Sequence, residues 1–224
     1  MKWYNVTSNN TKHIIPAQKW LFNNYLNDEP NYLDVEDTPI DKWGLKVSSL
    51  LPEDEYIIFG LDDFLPIDTI NYNKLDIALR IVKENNLDRF ELGYGASRKK
   101  GFIQERGWLK YGIQTPYKVS TQFSIWKTET LHRELMRTTT PWKFETHGIC
   151  NAGCFNYPVF RWIEESALSG RRKGKVNLCG LRLQDEKELI NLGFINKEDI
   201  IYGWKGTEER LKEFYGTKYK EYYG

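Results

Sequence analysis

Two adjacent carboxylates, Asp62 and Asp63, close the apolar run from Glu55 to Leu61, and such a run bounded by turn residues reads as a buried strand. Paired acids at the carboxyl end of a strand supply hard oxygen ligands for a divalent cation, or acceptors for the hydroxyls of a polyol. Neighbouring strand residues point to opposite faces, so one carboxylate is expected to meet a metal directly while the other binds a ligand hydroxyl or a supporting group. The pair also reads as the start of a turn, since Asp favours turns and helix caps and Pro66-Ile67-Asp68 follows at once. A third acid, Glu145, stands in Pro141-Trp142-Lys143-Phe144-Glu145-Thr146-His147-Gly148. Aromatic neighbours exclude water, and a carboxylate so placed is suited to general-base work near neutral pH. His147 is the reserve candidate for that role or for a metal contact. The alternative for Glu145 is an acid that caps a helix or pairs with a cation.

These groups need elements to position them. Trp3 to Thr7 reads as a strand, Ser8 to Thr11 as a turn, and Ile14, Ile15, Trp20, Leu21, Phe22 and Tyr25 recur at helical spacing. Tyr32 to Val35 reads as a second strand and Trp43 to Leu51 as a second helix. After the acidic pair, Leu75, Ala78, Leu79 and Val82 mark an amphipathic helix beginning near Asp68 or Asn71, and Arg89 to Gly93 a further strand. Tyr117 to Trp126 returns to strand composition and Thr128 to Met136 to helix. Strand and helix thus alternate, which predicts an α/β sandwich with a largely parallel sheet. With the first strand in that sheet, Thr7, Ser8 and Asn9 face the same crevice as the acids.

Between Tyr94 and Lys118 the glycines Gly95, Gly101, Gly107 and Gly112 alternate with Arg98, Lys99, Lys100, Arg106 and Lys110, a loop or hairpin insertion. Solvated surface is its ordinary reading; a mobile basic loop over a diphosphate is the functional one, with Arg98 matching phosphate oxygens. Beyond Phe160 the chain offers a helical stretch through Trp162, Ile163 and Ala167, a basic turn from Arg171 to Lys175, a strand candidate from Val176 to Leu183 and a charged tail.

A chain of 224 residues can bury a sizeable core without disulfides, and its three cysteines are read as reduced thiols of a cytosolic protein. The formal charge of +1 argues against a surface that tracks nucleic acid throughout. No stretch reaches the roughly 20 apolar residues of a membrane span, and the N-terminus lacks a signal-peptide apolar region. One domain is expected over 1–224, with a nucleotide-binding half over 1–93 and an acceptor-side half and tail over 94–224.

Taken in order, Val6-Thr7-Ser8-Asn9, the strand ending Leu61-Asp62-Asp63-Phe64, Gln122-Phe123-Ser124-Ile125-Trp126 and Trp142-Lys143-Phe144-Glu145 resemble small bacterial or viral glycosyltransferases of the GT-A type. In that family an apolar strand ends in a DxD-like or xDD element, and a Gln-x-x-x-Trp segment precedes a Trp-x-x-Glu. The resemblance spans about residues 3 to 150. It implies a Rossmann-like α/β/α sandwich that binds a nucleotide-diphosphate sugar through Mn²⁺ or Mg²⁺ and transfers the sugar, with inversion, to a glycan or glycoconjugate hydroxyl. By the same resemblance Asp63 is the metal ligand, Asp62 its partner toward ribose or sugar, and Glu145 the base. Thr7, Ser8, Asn9 and Arg98 then line the donor, and Gln122, Trp142 and His147 the acceptor or sugar. The expected location is the cytoplasm, peripheral to a membrane where the acceptor is. A metal-dependent nucleotidyltransferase and a non-catalytic RNA- or carbohydrate-binding module are the other classes; the former would carry a glycine- and basic-rich loop after its first strand, where this chain has Ser8-Asn9-Asn10.

Overall fold

The computed structural model describes residues 1–9, 11–93, 101–112, 118–164, 176–177, 183–195 and 200–201. Its centre is an eight-stranded mixed sheet. Along the chain the described strands are β1 (Trp3–Thr7), β2 (Asn31–Asp34), β3 (Tyr56–Leu61), β4 (Phe64–Pro66), β5 (Arg89–Glu91), β6 (Phe102–Gln104), β7 (Leu109–Tyr111), β8 (Ser124–Lys127), β9 (Ala152–Cys154), β10 (Trp162–Glu164) and a short parallel pair, β11 (Val176–Asn177) and β12 (Ile200–Ile201). The main sheet has the order β2-β1-β3-β8-β5-β9-β7-β6. β2, β1 and β3 are mutually parallel, as are β5 and β9, whereas β8 and β7 run against their neighbours.

The helices are α1 (Ile15–Leu26), α2 (Trp43–Leu50), α3 (Tyr72–Glu84), α4 (Thr128–Thr138), α5 (Pro141–His147) and α6 (Leu183–Asn191). They cover both faces, so each sheet face has its own apolar layer. On one side Phe22 and Leu26 of α1 and Leu75, Ala78 and Val82 of α3 pack with Trp3, Ile58, Phe90 and Ile125. On the other, Trp43 and Val47 of α2, Leu131 and Leu135 of α4 and Phe144 of α5 pack with Tyr4, Val6, Ile57, Phe59 and Trp126. The expected α/β sandwich is therefore observed, with the alternation of inward residues in β1 and β3 feeding both layers. A third apolar cluster joins Leu65 and Ile67 to α1 and to Leu189 of α6.

Aromatic rings fix the strand that carries the acids. Phe123 lies edge-on to Trp3, Phe22, Phe64 and Trp162 at centroid distances of 5.4 to 5.8 Å. A Cβ on Gly60 would stand 2.4 Å from the Phe123 ring, and one on Gly93 would stand 1.6 Å from Trp162. At both glycines an aromatic ring lies so close to the backbone that a side chain would collide with it.

Several expectations are corrected. Trp162 and Ile163 belong to β10, paired antiparallel to β4, and not to a helix; their side of the chain is held by strand hydrogen bonds to the segment after Asp63. Within the strand candidate from Val176 to Leu183, Val176–Asn177 is a strand and Leu183 opens α6, and 178–182 lie outside the described residues. The basic insertion, expected as a loop or hairpin, does contain a hairpin of the main sheet, β6 with β7, and Arg98 lies outside the described residues. Among the described residues no helix is long and apolar enough to cross a membrane.

Candidate functional site

β1, β2 and β3 end together at one edge of the parallel half, where the segments that follow them enclose a pocket of about 330 Å³. Val6 and Thr7 of β1 line it with Ser8 and Thr11 just beyond, Val35 to Thr38 follow β2, and Leu61 of β3 is joined by Asp62 and Asp63 after it. Ile40, Trp43 and Pro141 close it with apolar surface. This is the crevice beyond the strand ends in which α/β sheets hold ligands.

Asp62 and Asp63 stand in the turn between β3 and β4, and both line this pocket. The expectation that they face opposite sides fails because the strand ends at Leu61 and its two-residue alternation ends with it. Both are buried, at 3% and 6% exposure. Burial pushes the Asp62 carboxyl up to about 6, against the pull of the nearby Thr11 and Thr7 hydroxyls. Neither hydroxyl meets hydrogen-bond geometry with Oδ2. That oxygen, together with Thr7 Oγ1 and Asn5 Oδ1 behind it, has no hydrogen-bond partner among the described residues. Buried polar atoms left so are uncommon, and the two that belong to pocket-lining residues, on Asp62 and Thr7, point to a ligand that supplies the missing contacts.

The turn is held from behind by a residue that sequence reasoning missed. Gln18 of α1 is fully buried; its Nε2 donates to the carbonyls of Asp62 and Phe64 at 2.7 and 3.0 Å, and its Oε1 accepts from Asn5 Nδ2 at 3.1 Å and Tyr32 Oη at 2.7 Å. Burial and the charges of Asp62 and Glu29 push the Tyr32 phenol up, so it remains a neutral donor. A signal existed: Gln18 falls four residues from Ile14 and from Phe22, a polar residue on the apolar stripe. On β1, Ser8 N–H donates to Thr11 Oγ1 at 3.2 Å and Thr11 N–H to the Ser8 carbonyl at 3.0 Å, closing the turn that presents Thr7 and Ser8 to the pocket.

Of the residues expected to bind a donor, Thr7, Ser8, Asp62 and Asp63 come together here. Asn9 does not line the pocket; its Oδ1 accepts from Lys12 Nζ at 2.7 Å, and Lys12 also pairs with Asp34 at 2.7 Å. Glu36 and Asp37, unforeseen, do line it, so four of the described lining residues are acids and none of those described is basic.

Glu145 lies on α5, one turn beyond Pro141, which lines the pocket. Thr140 caps this helix by accepting from Lys143 N–H, and Pro141 fits its first position, where an N–H would be unsatisfied. Glu145 is half-buried, and its Oε1 accepts from Thr121 N–H at 2.9 Å and Thr121 Oγ1–H at 2.7 Å. The antiparallel register of β3 with β8 pairs Phe59 with Ser124, and continued by three residues it sets Thr121 level with Asp62. Glu145 thus shares the acids' end of the sheet. Only Phe144 of its aromatic segment is buried; Trp142 is 66% exposed, and His147 is exposed with Nδ1 on Thr146. Gln122 is half-buried just before β8. None of Gln122, Trp142 and His147 lines the pocket.

No family model matches the chain, and no curated protein does. Among solved structures it is similar to A197 from STIV, with 13% identity and a TM-score of 0.44, over 73% of this chain and 85% of that one. It is also similar to S. aureus TarS 1–349, with 13% identity and a TM-score of 0.37, over 98% of this chain and 72% of that one.

Proposed function

We propose that the protein is a metal-dependent glycosyltransferase that moves a sugar from a nucleotide-diphosphate donor to a glycan or glycoconjugate hydroxyl. The observation that carries this reading is the buried Asp62–Asp63 turn beyond the parallel strands, in a pocket whose described lining holds oxygen donors and four acids and no base. An anionic diphosphate is repelled by such a pocket unless a cation stands between them.

The donor set fits Mg²⁺ or Mn²⁺, which take oxygen ligands and keep open positions for phosphate and water. Asp62 and Asp63, both lining the pocket, would hold the ion, and the donor's phosphates would complete its shell, since among the described residues no group of three His, Cys, Asp or Glu offers a ready-made site. When bound, the ion neutralises the charge that develops on the leaving diphosphate. The chain's own residues bind and orient the donor. Thr7 and Ser8 contact it along β1, Glu36 and Asp37 accept from its N–H or hydroxyl groups, and Trp43, Ile40 and Pro141 cover a flat ring. Glu145 takes the proton of the attacking hydroxyl.

Titration calorimetry with Mn²⁺ alone, and then with a panel of UDP-, GDP-, dTDP- and ADP-hexoses in its presence, tests the reading. Binding that needs the cation, and that Asp63→Asn abolishes, is the expected result. A donor bound equally well by parent and Asp63→Asn, with or without EDTA, overturns the metal assignment.

A further inference from the structure

The Glu145 carboxylate is asymmetric in a way that bears on its chemistry. Oε1 receives both hydrogen bonds from Thr121, at 2.9 Å from the backbone N–H and 2.7 Å from the hydroxyl, whereas Oε2 makes none among the described residues. Two donors from one residue fix the side-chain torsions of the acid and occupy one oxygen, so the other oxygen is the one left to accept a proton. The holder is itself held. The carbonyl of Lys118, three residues before Thr121, accepts from Arg89 Nη1 at 2.9 Å and Cys150 Sγ at 3.3 Å. Arg89 is fully buried and paired with Glu91 at 3.3 Å, and its guanidinium lies 5.7 Å from the Trp126 ring. Val119, Ser120 and Thr121 are all buried, and a Cβ on Gly148 would stand 2.4 Å from Val119. The segment before β8 is therefore packed from the strand side and from the end of α5, which leaves little freedom for Thr121.

We propose that Thr121 is the positioning residue of the reaction, presenting Oε2 of Glu145 to the incoming hydroxyl. The proposal rests on the reading of Glu145 as base. In the transfer the acceptor oxygen forms the bond to the anomeric carbon, and the bond from that carbon to the donor phosphate oxygen breaks. The leaving nucleoside diphosphate keeps the electron pair, and the acceptor's proton goes to Oε2. In donor hydrolysis water takes the acceptor's place with the same balance.

The test measures hydrolysis and binding of the UDP-, GDP-, dTDP- and ADP-hexose panel with Mn²⁺, on the full chain and on Thr121→Val, Thr121→Ser and Glu145→Gln, with melting temperatures for each. Valine keeps the shape and the backbone N–H but removes the hydroxyl, so kcat should fall on the order of 10²-fold with KM and donor affinity held, as for a misplaced catalytic group. Serine restores the donor and should bring kcat back to within a few-fold of the parent. A residue that only supports the fold would lower the melting point without this selective fall and without rescue by serine. Thr121→Val with parental kcat, or Thr121→Ser as slow as Thr121→Val, overturns the proposal while leaving Glu145 as base. If valine prevents folding, Thr121→Ser alone decides, since a slow but folded serine variant overturns it. Parental turnover in Glu145→Gln, or a parent that hydrolyses none of the panel, overturns the base reading and this inference with it.

Discussion

Replacing Gln18 with leucine tests the claim that one buried amide moors the acidic turn. Gln18 serves four groups: it donates to the carbonyls of Asp62 and Phe64 and accepts from Asn5 Nδ2 and Tyr32 Oη. Leucine has similar bulk and none of these functions. Each buried group left unsatisfied costs about 1–3 kcal/mol, but Tyr32 is half-buried and its hydroxyl can turn to water. The added apolar surface returns about 1 kcal/mol. For the three groups other than Tyr32 the net loss is then about 2–8 kcal/mol, and a chain of this size shifts in melting temperature by about 2–4 °C for each kcal/mol, so Gln18→Leu should melt at least about 4 °C, and centrally about 15 °C, below the parent. Urea titration should show a lower midpoint with an unchanged slope. Gln18→Glu should be worse at pH 7 than at pH 5, because a carboxylate there faces two carbonyls and the Asp62 side. A Gln18→Leu variant that melts within about 2 °C of the parent refutes the mooring.

Two further outcomes follow from buried charge. The Asp62 carboxyl, raised by burial to about 6 from 3.8, binds its proton more tightly in the folded chain than in the unfolded one. Its favourable contribution is thus fully present below about pH 4, is lost as pH rises towards 6 and is flat above, a swing on the order of 3 kcal/mol. Asp62→Asn removes that dependence, so its stability relative to the parent should rise from pH 4 to pH 7 by about this amount in chemical denaturation, and an advantage independent of pH would contradict the burial argument. Arg89→Met leaves Glu91 buried without its cation and should cost about 3–5 kcal/mol, whereas Arg89→Met with Glu91→Leu should recover part of that loss. A double variant less stable than the single one would show that Glu91 is satisfied without Arg89.

Local pattern alone specified much of the frame. β1, β2 and β3 and helices α1 to α4 follow from periodicity and caps, because which face of a strand or helix is apolar is written in consecutive residues. The acids at the end of β3 and the polar turn after β1 were legible for the same reason, and so was their convergence, once the strands were taken as parallel. Tertiary structure decided the rest. β4, β9 and β10 are three residues each, too short for a period, and exist because a neighbour completes their hydrogen bonds. Trp162 looks helical in sequence but sits against Gly93 and pairs with Pro66, contacts made 69 and 96 residues away along the chain. Both aspartates line one pocket because β3 stops at Leu61 and they form the turn that their residue types offered as the alternative reading, a choice between strand and turn that the tertiary structure made. Gln18 reaches the Asp62 carbonyl across 44 positions, and Thr121 reaches Glu145 across 24. Such pairings depend on how the sheet orders its strands, and that order is set by the burial of whole faces against one another, a non-local property absent from any single stretch of sequence.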